Sequence, residues 1–93
     1  MILSFRCKET EKVWHRRFSK KFPVDLQVRA RRKLIALHIA ASLNDLRRPP
    51  SNHLEALKKD RQGQWSIRIN KQWGACFLWA EGNAHDVEIV DYH

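Results

Sequence analysis

The chain has 93 residues, of which 43% are hydrophobic, and its 18 Lys and Arg outnumber its 10 Asp and Glu to give a formal charge of +8. This length predicts a single domain over residues 1–93, and the apolar fraction excludes a disordered tail. The positive charge favours a polyanionic partner, either a nucleic acid or an acidic protein.

The two cysteines, Cys7 and Cys76, lie far apart and match no metal-ligand spacing. Since no signal peptide precedes them, we interpret them as reduced thiols of a cytoplasmic protein. No uncharged apolar run approaches the about 18 residues of a membrane-spanning helix, so we expect no membrane partner. No residue pattern requires a metal ion or another cofactor, and we expect none.

The first half of the chain predicts one strand and two helices. Residues 1–6 alternate apolar and polar side chains, as a strand does. Glu9–Phe18 is predicted to be a short helix, with acidic residues in its first turn and two aromatic residues one turn apart. A second helix begins near Pro23 and ends at Arg47-Arg48-Pro49-Pro50. Its predicted apolar stripe consists of Leu26, Ala30, Leu34, Leu37 and Ala41.

The second half predicts three strands. Apolar and aromatic residues alternate with smaller or polar residues over 65–70, over 73–79 and again over 87–90. Short turns join these runs, which indicates an antiparallel meander. The order of strand, two helices and three strands predicts an α+β domain with both helices on one face of a small, mainly antiparallel sheet.

The turn between the first two of these strands predicts a register. If the turn is centred on Lys71, Arg68 lies opposite Gly74 on the sheet face that the helices leave open. Trp65 and Trp73 then lie on the other face, where we expect them to fill the core rather than stack on bases.

Cations and proton-handling groups are concentrated in two segments that we expect to meet on this open face. The cations are Lys58, Lys59, Arg61, Arg68 and Lys71. The chain ends in Asp91, Tyr92 and His93. Short charge runs are usually solvated loops, and a terminal Tyr also suits an ordinary strand. Together, however, a carboxylate, a phenol and an imidazole beside cations are the groups that phosphodiester cleavage requires.

Four segments of the chain resemble the HigB toxins, members of the RelE-like superfamily of bacterial type II toxin–antitoxin systems. The segments are Asn52–Arg61, Gly63–Asn70, Gln72–Trp73 and Asp86–His93. The resemblance implies a RelE-like α+β fold and a cytoplasmic, metal-independent endoribonuclease that cuts mRNA in the ribosomal decoding site. It also implies a HigA-type helix-turn-helix antitoxin, and binding of the toxin–antitoxin complex to operator DNA.

The chemistry implied by this resemblance begins with attack of a ribose 2′-hydroxyl on the adjacent phosphate, a group that only RNA supplies. A base removes the 2′ proton, an acid protonates the leaving 5′-oxygen, and cations neutralise the phosphorane. The implied catalytic residues are Asp91, Tyr92, His93, Lys58 and Arg61. The implied RNA-binding residues are Lys59, Arg68 and Lys71. The sequence leaves open which of Tyr92 and His93 is the acid and which the base.

Gly74 departs from the pattern of the family, which has an arginine after Gln-Trp. Lys71 and Lys59 stand where the family usually has Asp and Gly. One hypothesis is that this chain is attenuated for lack of a phosphate-contacting cation. The other is that Lys71 or Lys59 replaces that cation.

Two other functions remain open from the residues alone. The first is a non-catalytic basic module that binds RNA or the antitoxin. The second, a metal-dependent nuclease, is disfavoured because no His, Asp or Glu cluster has ligand spacing. Residues 1–33 contain eleven Lys and Arg, more than a small sheet-face site can use. We therefore predict that the antitoxin covers the basic helical body.

Overall fold

Two helices lie on one face of a four-stranded antiparallel sheet in the computed structural model, which describes residues 1–92. The elements are α1 (Lys8–Trp14), α2 (Val24–Ile39), β1 (Glu55–Ala56), β2 (Trp65–Arg68), β3 (Trp73–Ala80) and β4 (Asn83–Asp91). Short 3-10 helices occupy Leu43–Arg47, Pro50–Asn52 and Lys59–Arg61. The strands lie in chain order across the sheet. This arrangement confirms the predicted α+β class.

The predicted first strand is reduced to two isolated bridges along the outer edge of β4. Ile2 pairs with Ala84 and Phe5 pairs with Val87, both in parallel orientation. Between these bridges Asp86 has a φ of 52°, and its N–H donates to Ser4 Oγ at 2.9 Å instead of to a backbone carbonyl. This left-handed residue interrupts the edge of β4, so a continuous ladder cannot form.

Both helices end earlier than predicted. After α1, Arg16 adopts a φ of 61°, the Arg16 N–H donates to Val13 O and the Arg17 N–H donates to Lys12 O. These are the two hydrogen bonds of a Schellman motif, which terminates a helix. Phe18 therefore lies beyond α1 and is 63% exposed, rather than one turn from a helical partner.

The end of α2 is set by a carboxylate. Asp45 Oδ2 accepts the backbone N–H groups of Ala41 and Ser42 at 2.9 and 3.2 Å, which draws the chain out of the helix. Ala41 is consequently exposed, and the expectation that it belongs to the buried stripe was wrong. The next segment continues as a separate 3-10 helix rather than as α2.

The core lies between the helices and the sheet. The other four residues of the predicted stripe, Leu26, Ala30, Leu34 and Leu37, are all buried. From the sheet, the inward side chains are Ile67, Ala75, Phe77, Val87 and Ile89. Trp65 and Trp73 pack against the same cluster, as predicted.

No helix within residues 1–92 is long and apolar enough to cross a bilayer.

A buried hydrogen bond joins α1 to the sheet. Thr10 Oγ1 accepts the N–H of Ile89 at 3.0 Å, and Thr10 is fully buried. A helix side chain thereby satisfies a strand donor that would otherwise face the core without a partner.

Replacing this acceptor tests the contribution of the bond. Thr10→Val keeps the shape but leaves the Ile89 N–H unsatisfied, so we expect a loss of about 1–3 kcal/mol in the free energy of unfolding. Thr10→Ser keeps the hydroxyl and is the matched control. Denaturant unfolding of both variants measures the difference, and equal stability of the two would contradict the role of the bond.

Candidate active site

The sheet has a second face that no helix covers. Because side chains alternate along a strand, this face carries the residues between those of the core. Two cross-strand rows define it, one of Ser66, Cys76 and Glu88 and the other of Arg68, Gly74 and Val90. The predicted pairing of Arg68 with Gly74 is confirmed. We call this surface the open face.

Tyr92 lies across the open face directly over Gly74. A Cβ added to Gly74 would fall 2.8 Å from Tyr92 Cε2 and closer still to Cζ and Oη. The phenol therefore occupies the space that any side chain at position 74 would need. The backbone of Tyr92 is held by a hydrogen bond from its N–H to Gln72 O at 2.7 Å.

Arg61 reaches the same face from the 3-10 helix that precedes β2. Its Nη1 lies 3.2 Å from Glu88 Oε1 and 3.1 Å from Gln64 Oε1. The guanidinium is thus held over the row that contains Cys76, whose thiol pKa is raised by burial. Glu88 was not identified from the sequence, because an outward carboxylate on a strand looks like ordinary surface charge.

Asp91 is not on the open face with Tyr92. Its register partner is Trp73, so alternation directs it toward the helix side of the sheet. There Asp91 Oδ2 accepts a hydrogen bond from Gln72 Nε2 at 3.0 Å. The expectation that the three terminal residues approach one face together needs this correction. His93, the third of them, lies outside the described residues.

The predicted cations have different positions. Lys58 and Lys59 are exposed at the start of the 3-10 helix that carries Arg61. Arg68 and Lys71 line a groove of about 880 Å³ that runs from the β2–β3 turn toward α2. His53, to which the sequence analysis gave no role, lines it too, with a φ of 46° at the end of a 3-10 helix. We call this the basic groove.

The comparisons with known proteins identify the family. A family model described as the RelE-like toxin of the type II toxin–antitoxin system HigB matches residues 3–93. The chain belongs to the HigB-like toxins. Over 85 residues the toxin is 35% identical to Toxin HigB-1 of Vibrio cholerae, covering 90% of each chain. It is 30% identical to Endoribonuclease HigB of Proteus vulgaris over the full length of both.

A solved structure with similar coverage is titled YoeB/ParE toxin from Agrobacterium tumefaciens. It matches 98% of the toxin and 94% of its own chain, with 18% identity and a TM-score of 0.49.

Within residues 1–92 of the toxin, no group of three His, Cys, Asp or Glu side chains could hold a metal ion.

The phenol of Tyr92 has an altered acidity in this position. Burial raises its pKa, although a hydrogen bond with Ser66 and the charge of Arg68 act in the opposite direction. The ordinary pKa of tyrosine is already about 10. At neutral pH Tyr92 is therefore a neutral phenol that can donate a proton, and the residue as a whole remains 42% exposed.

The position of the ring can be tested by titration, because Tyr92 is the only tyrosine in the chain. We expect phenolate absorbance to give a midpoint above about 10. Gly74→Ala displaces the ring into solvent, and its midpoint should fall toward the ordinary value. Ser66→Ala removes the hydrogen bond that favours the phenolate, and its midpoint should rise. A folded Gly74→Ala variant with the wild-type midpoint would contradict the stacking.

Proposed function

We propose that the toxin is an endoribonuclease that cleaves mRNA bound to the ribosome in the bacterial cytoplasm. The observation that carries this proposal is the neutral phenol of Tyr92, held over Gly74 beside Ser66 and Arg68. It combines a proton donor with a cation on an accessible sheet face. The full-length similarity to a relative named as an endoribonuclease supports the same function.

In the proposed reaction a 2′-hydroxyl attacks the neighbouring phosphorus and the bond from phosphorus to the 5′-oxygen breaks, leaving a 2′,3′-cyclic phosphate. The 2′ proton passes to a base, and the 5′-oxygen takes a proton from an acid. We assign the acid to Tyr92, since a tyrosine phenol carries its proton at neutral pH and burial here raises its pKa further. The role of base then goes to His93, as the sequence analysis allowed.

Asp91 acts in this scheme through Gln72. The Gln72 side chain donates to Asp91, and the Gln72 carbonyl accepts the Tyr92 N–H. The carboxylate therefore restrains the backbone that carries the phenol, which fits an orienting role rather than proton transfer.

Arg68 is the cation best placed to stabilise the phosphorane. It is the cross-strand partner of Gly74, the position at which the family resemblance expects an arginine. A preorganised charge of this kind is worth about 10²–10³ in rate. We propose that Arg68 provides it and that Gly74 makes room for Tyr92, so that neither attenuation nor replacement by Lys59 or Lys71 is required.

The remaining predicted cations serve as phosphate contacts in this proposal. Arg61 uses Nη1 for Gln64 and Glu88, and a guanidinium has five N–H donors in all. Its other donors are then available to a phosphate. Lys58 and Lys59 lie at the start of the same 3-10 helix, and the ribosome would supply much of the substrate positioning.

Loss of the Tyr92 hydroxyl tests the reaction. We expect Tyr92→Phe to lower ribosome-dependent mRNA cleavage about 10²–10⁴-fold, because the leaving oxygen loses its proton donor. Primer extension on translated mRNA measures the effect, and the new 3′ ends should carry the 2′,3′-cyclic phosphate of the proposed reaction. Undiminished cleavage by Tyr92→Phe would reject the acid assignment. A wild-type chain that binds RNA without cutting it would favour the basic binding module, and new 3′ ends that lack the cyclic phosphate would favour a metal-dependent nuclease.

A second surface suits the antitoxin that the family implies. Between α1 and α2 lies a groove lined by apolar side chains, which we call the helical groove. The apolar members are Val13, Phe18, Val24, Val28 and Ile35. Its basic members are Arg16, Arg17, Arg31 and Arg32. Val24 and Val28 are 67% and 58% exposed. Adjacent exposed apolar side chains of this kind mark a surface that a partner covers.

An acidic amphipathic helix fits this combination of an apolar floor and basic rim. We propose that a HigA-type antitoxin binds here and leaves the open face uncovered, and that the resulting complex binds operator DNA. The proposal agrees with the expectation that the basic helical body contacts the antitoxin.

A charge placed on the floor of the helical groove should block this contact. We expect Val28→Lys to weaken antitoxin binding about tenfold or more, since it buries an unpaired cation in the interface. Leu3→Lys is the matched control, because Leu3 is a similarly exposed apolar residue outside that groove. Titration calorimetry with purified antitoxin measures both. Equal affinities of the two variants would contradict the assignment of this surface.

A further inference from the structure

The basic groove extends well beyond the residues that the proposed reaction uses. One wall is α2, and the other is formed by the segment around Pro50–Asn52 and the β2–β3 turn. Its lining contributes five Lys and Arg side chains, together with His53. They are Arg29, Arg32, Lys33, Arg68 and Lys71.

Among the residues that the structure describes, these cations have no anionic counterpart in the groove. No Asp or Glu lines it, and none of its cations forms an ion pair with another residue in 1–92. Arg29 and Lys33 are also one turn apart on α2, an arrangement in which like charges repel. The fold therefore concentrates uncompensated positive charge here, which an anionic ligand would relieve.

Lys33 is built into the wall rather than free on the surface. Its Nζ donates to Asn52 Oδ1, and Asn52 is fully buried. The Asn52 Nδ2 group in turn donates to Leu46 O and Arg48 O at 3.2 and 3.1 Å. Partial burial, and then the charge of Arg29, lower the pKa of Lys33. A buried side-chain network thus holds one cation in place against the repulsion of its neighbour.

Arg68 connects the basic groove to the candidate active site. It lines the groove and also belongs to the open-face row beneath Tyr92, whose phenol responds to its charge. A polyanion that contacts Arg68 at the open face can therefore continue along the groove toward Arg29 on α2.

We infer that the basic groove binds the phosphates of single-stranded RNA adjacent to the cleaved nucleotide, with Arg29, Lys33 and Lys71 as contacts. The inference deepens the proposed endoribonuclease function. It rests on that function for the position of the cleaved nucleotide, which lies at the open face. It divides the cations of α2 between two partners: Arg29 and Lys33 serve RNA, Arg31 lies on the helical groove, and Arg32 borders both.

The lining favours RNA over an acidic protein. Apart from the buried Ile69, the apolar lining residues are Ala36 and Pro49, so the groove lacks the large exposed side chains that a protein helix would bury. The helical groove has just such side chains. Arginine forks match phosphate oxygens, and phosphate contacts need no particular base.

The test is binding of a 2′-O-methyl oligoribonucleotide, which cannot be cleaved, at several salt concentrations. Arg29→Gln should weaken the affinity and reduce the slope of log K against log salt by about 0.7, the value for one phosphate contact on a single strand. Arg17→Gln removes the same charge from the helical groove and is the matched control. We expect it to alter the slope much less.

Three further results would decide the matter. An Arg29→Gln slope equal to that of Arg17→Gln would overturn the inference. So would weaker antitoxin binding by Arg29→Gln with unchanged RNA affinity, since the groove would then be a protein interface. If Arg29→Gln loses RNA affinity but the wild-type chain cleaves no mRNA, the groove stands as an RNA site and the proposed endoribonuclease function fails.

Discussion

The register of β2, β3 and β4 is the constraint on which the candidate site depends. It pairs Arg68 with Gly74 and Gly74 with Val90, and it directs Ile67, Ala75 and Ile89 into the core. Since side chains alternate, a slip of one residue would exchange the two faces. The same apolar contacts that stabilise the sheet therefore determine which groups face the substrate.

Gly74 and Tyr92 form a unit within that register. Glycine in a central strand lacks a side chain to pack and usually weakens it. Here the missing side chain leaves a flat place on which the phenol rests, and the ring becomes partly buried without closing the face to solvent. This burial raises the pKa of a phenol that is already neutral at pH 7, and the proposed proton transfer uses the neutral form. In the proposed function, therefore, Gly74 provides the space for Tyr92.

The positive charge of the toxin is distributed unevenly over its surface. α2 separates it into two surfaces, one beside the β2–β3 turn with few exposed apolar groups and one beside α1 with several. A polar, cation-lined groove suits phosphates, whereas an apolar floor with a basic rim suits a protein helix. Separate surfaces would allow an antitoxin to bind without occupying the reaction centre, so that inhibition would act through access to the ribosome.

The sequence by itself determined the α+β class, the buried stripe of α2 and the pairing of Arg68 with Gly74, because these follow from side-chain periodicity and turn length. It also indicated the family through local motifs. Tertiary structure alone decided that α1 ends at Trp14, just before the left-handed Arg16, that Asp91 leaves the face of Tyr92, and that Arg61 meets Glu88. These depend respectively on left-handed backbone, on how far β4 continues before it ends, and on contact between distant segments, none of which a local pattern records. The basic groove is the feature that the sequence could least predict. Its cations come from two distant segments, which become neighbours only when α2 packs beside the β2–β3 turn.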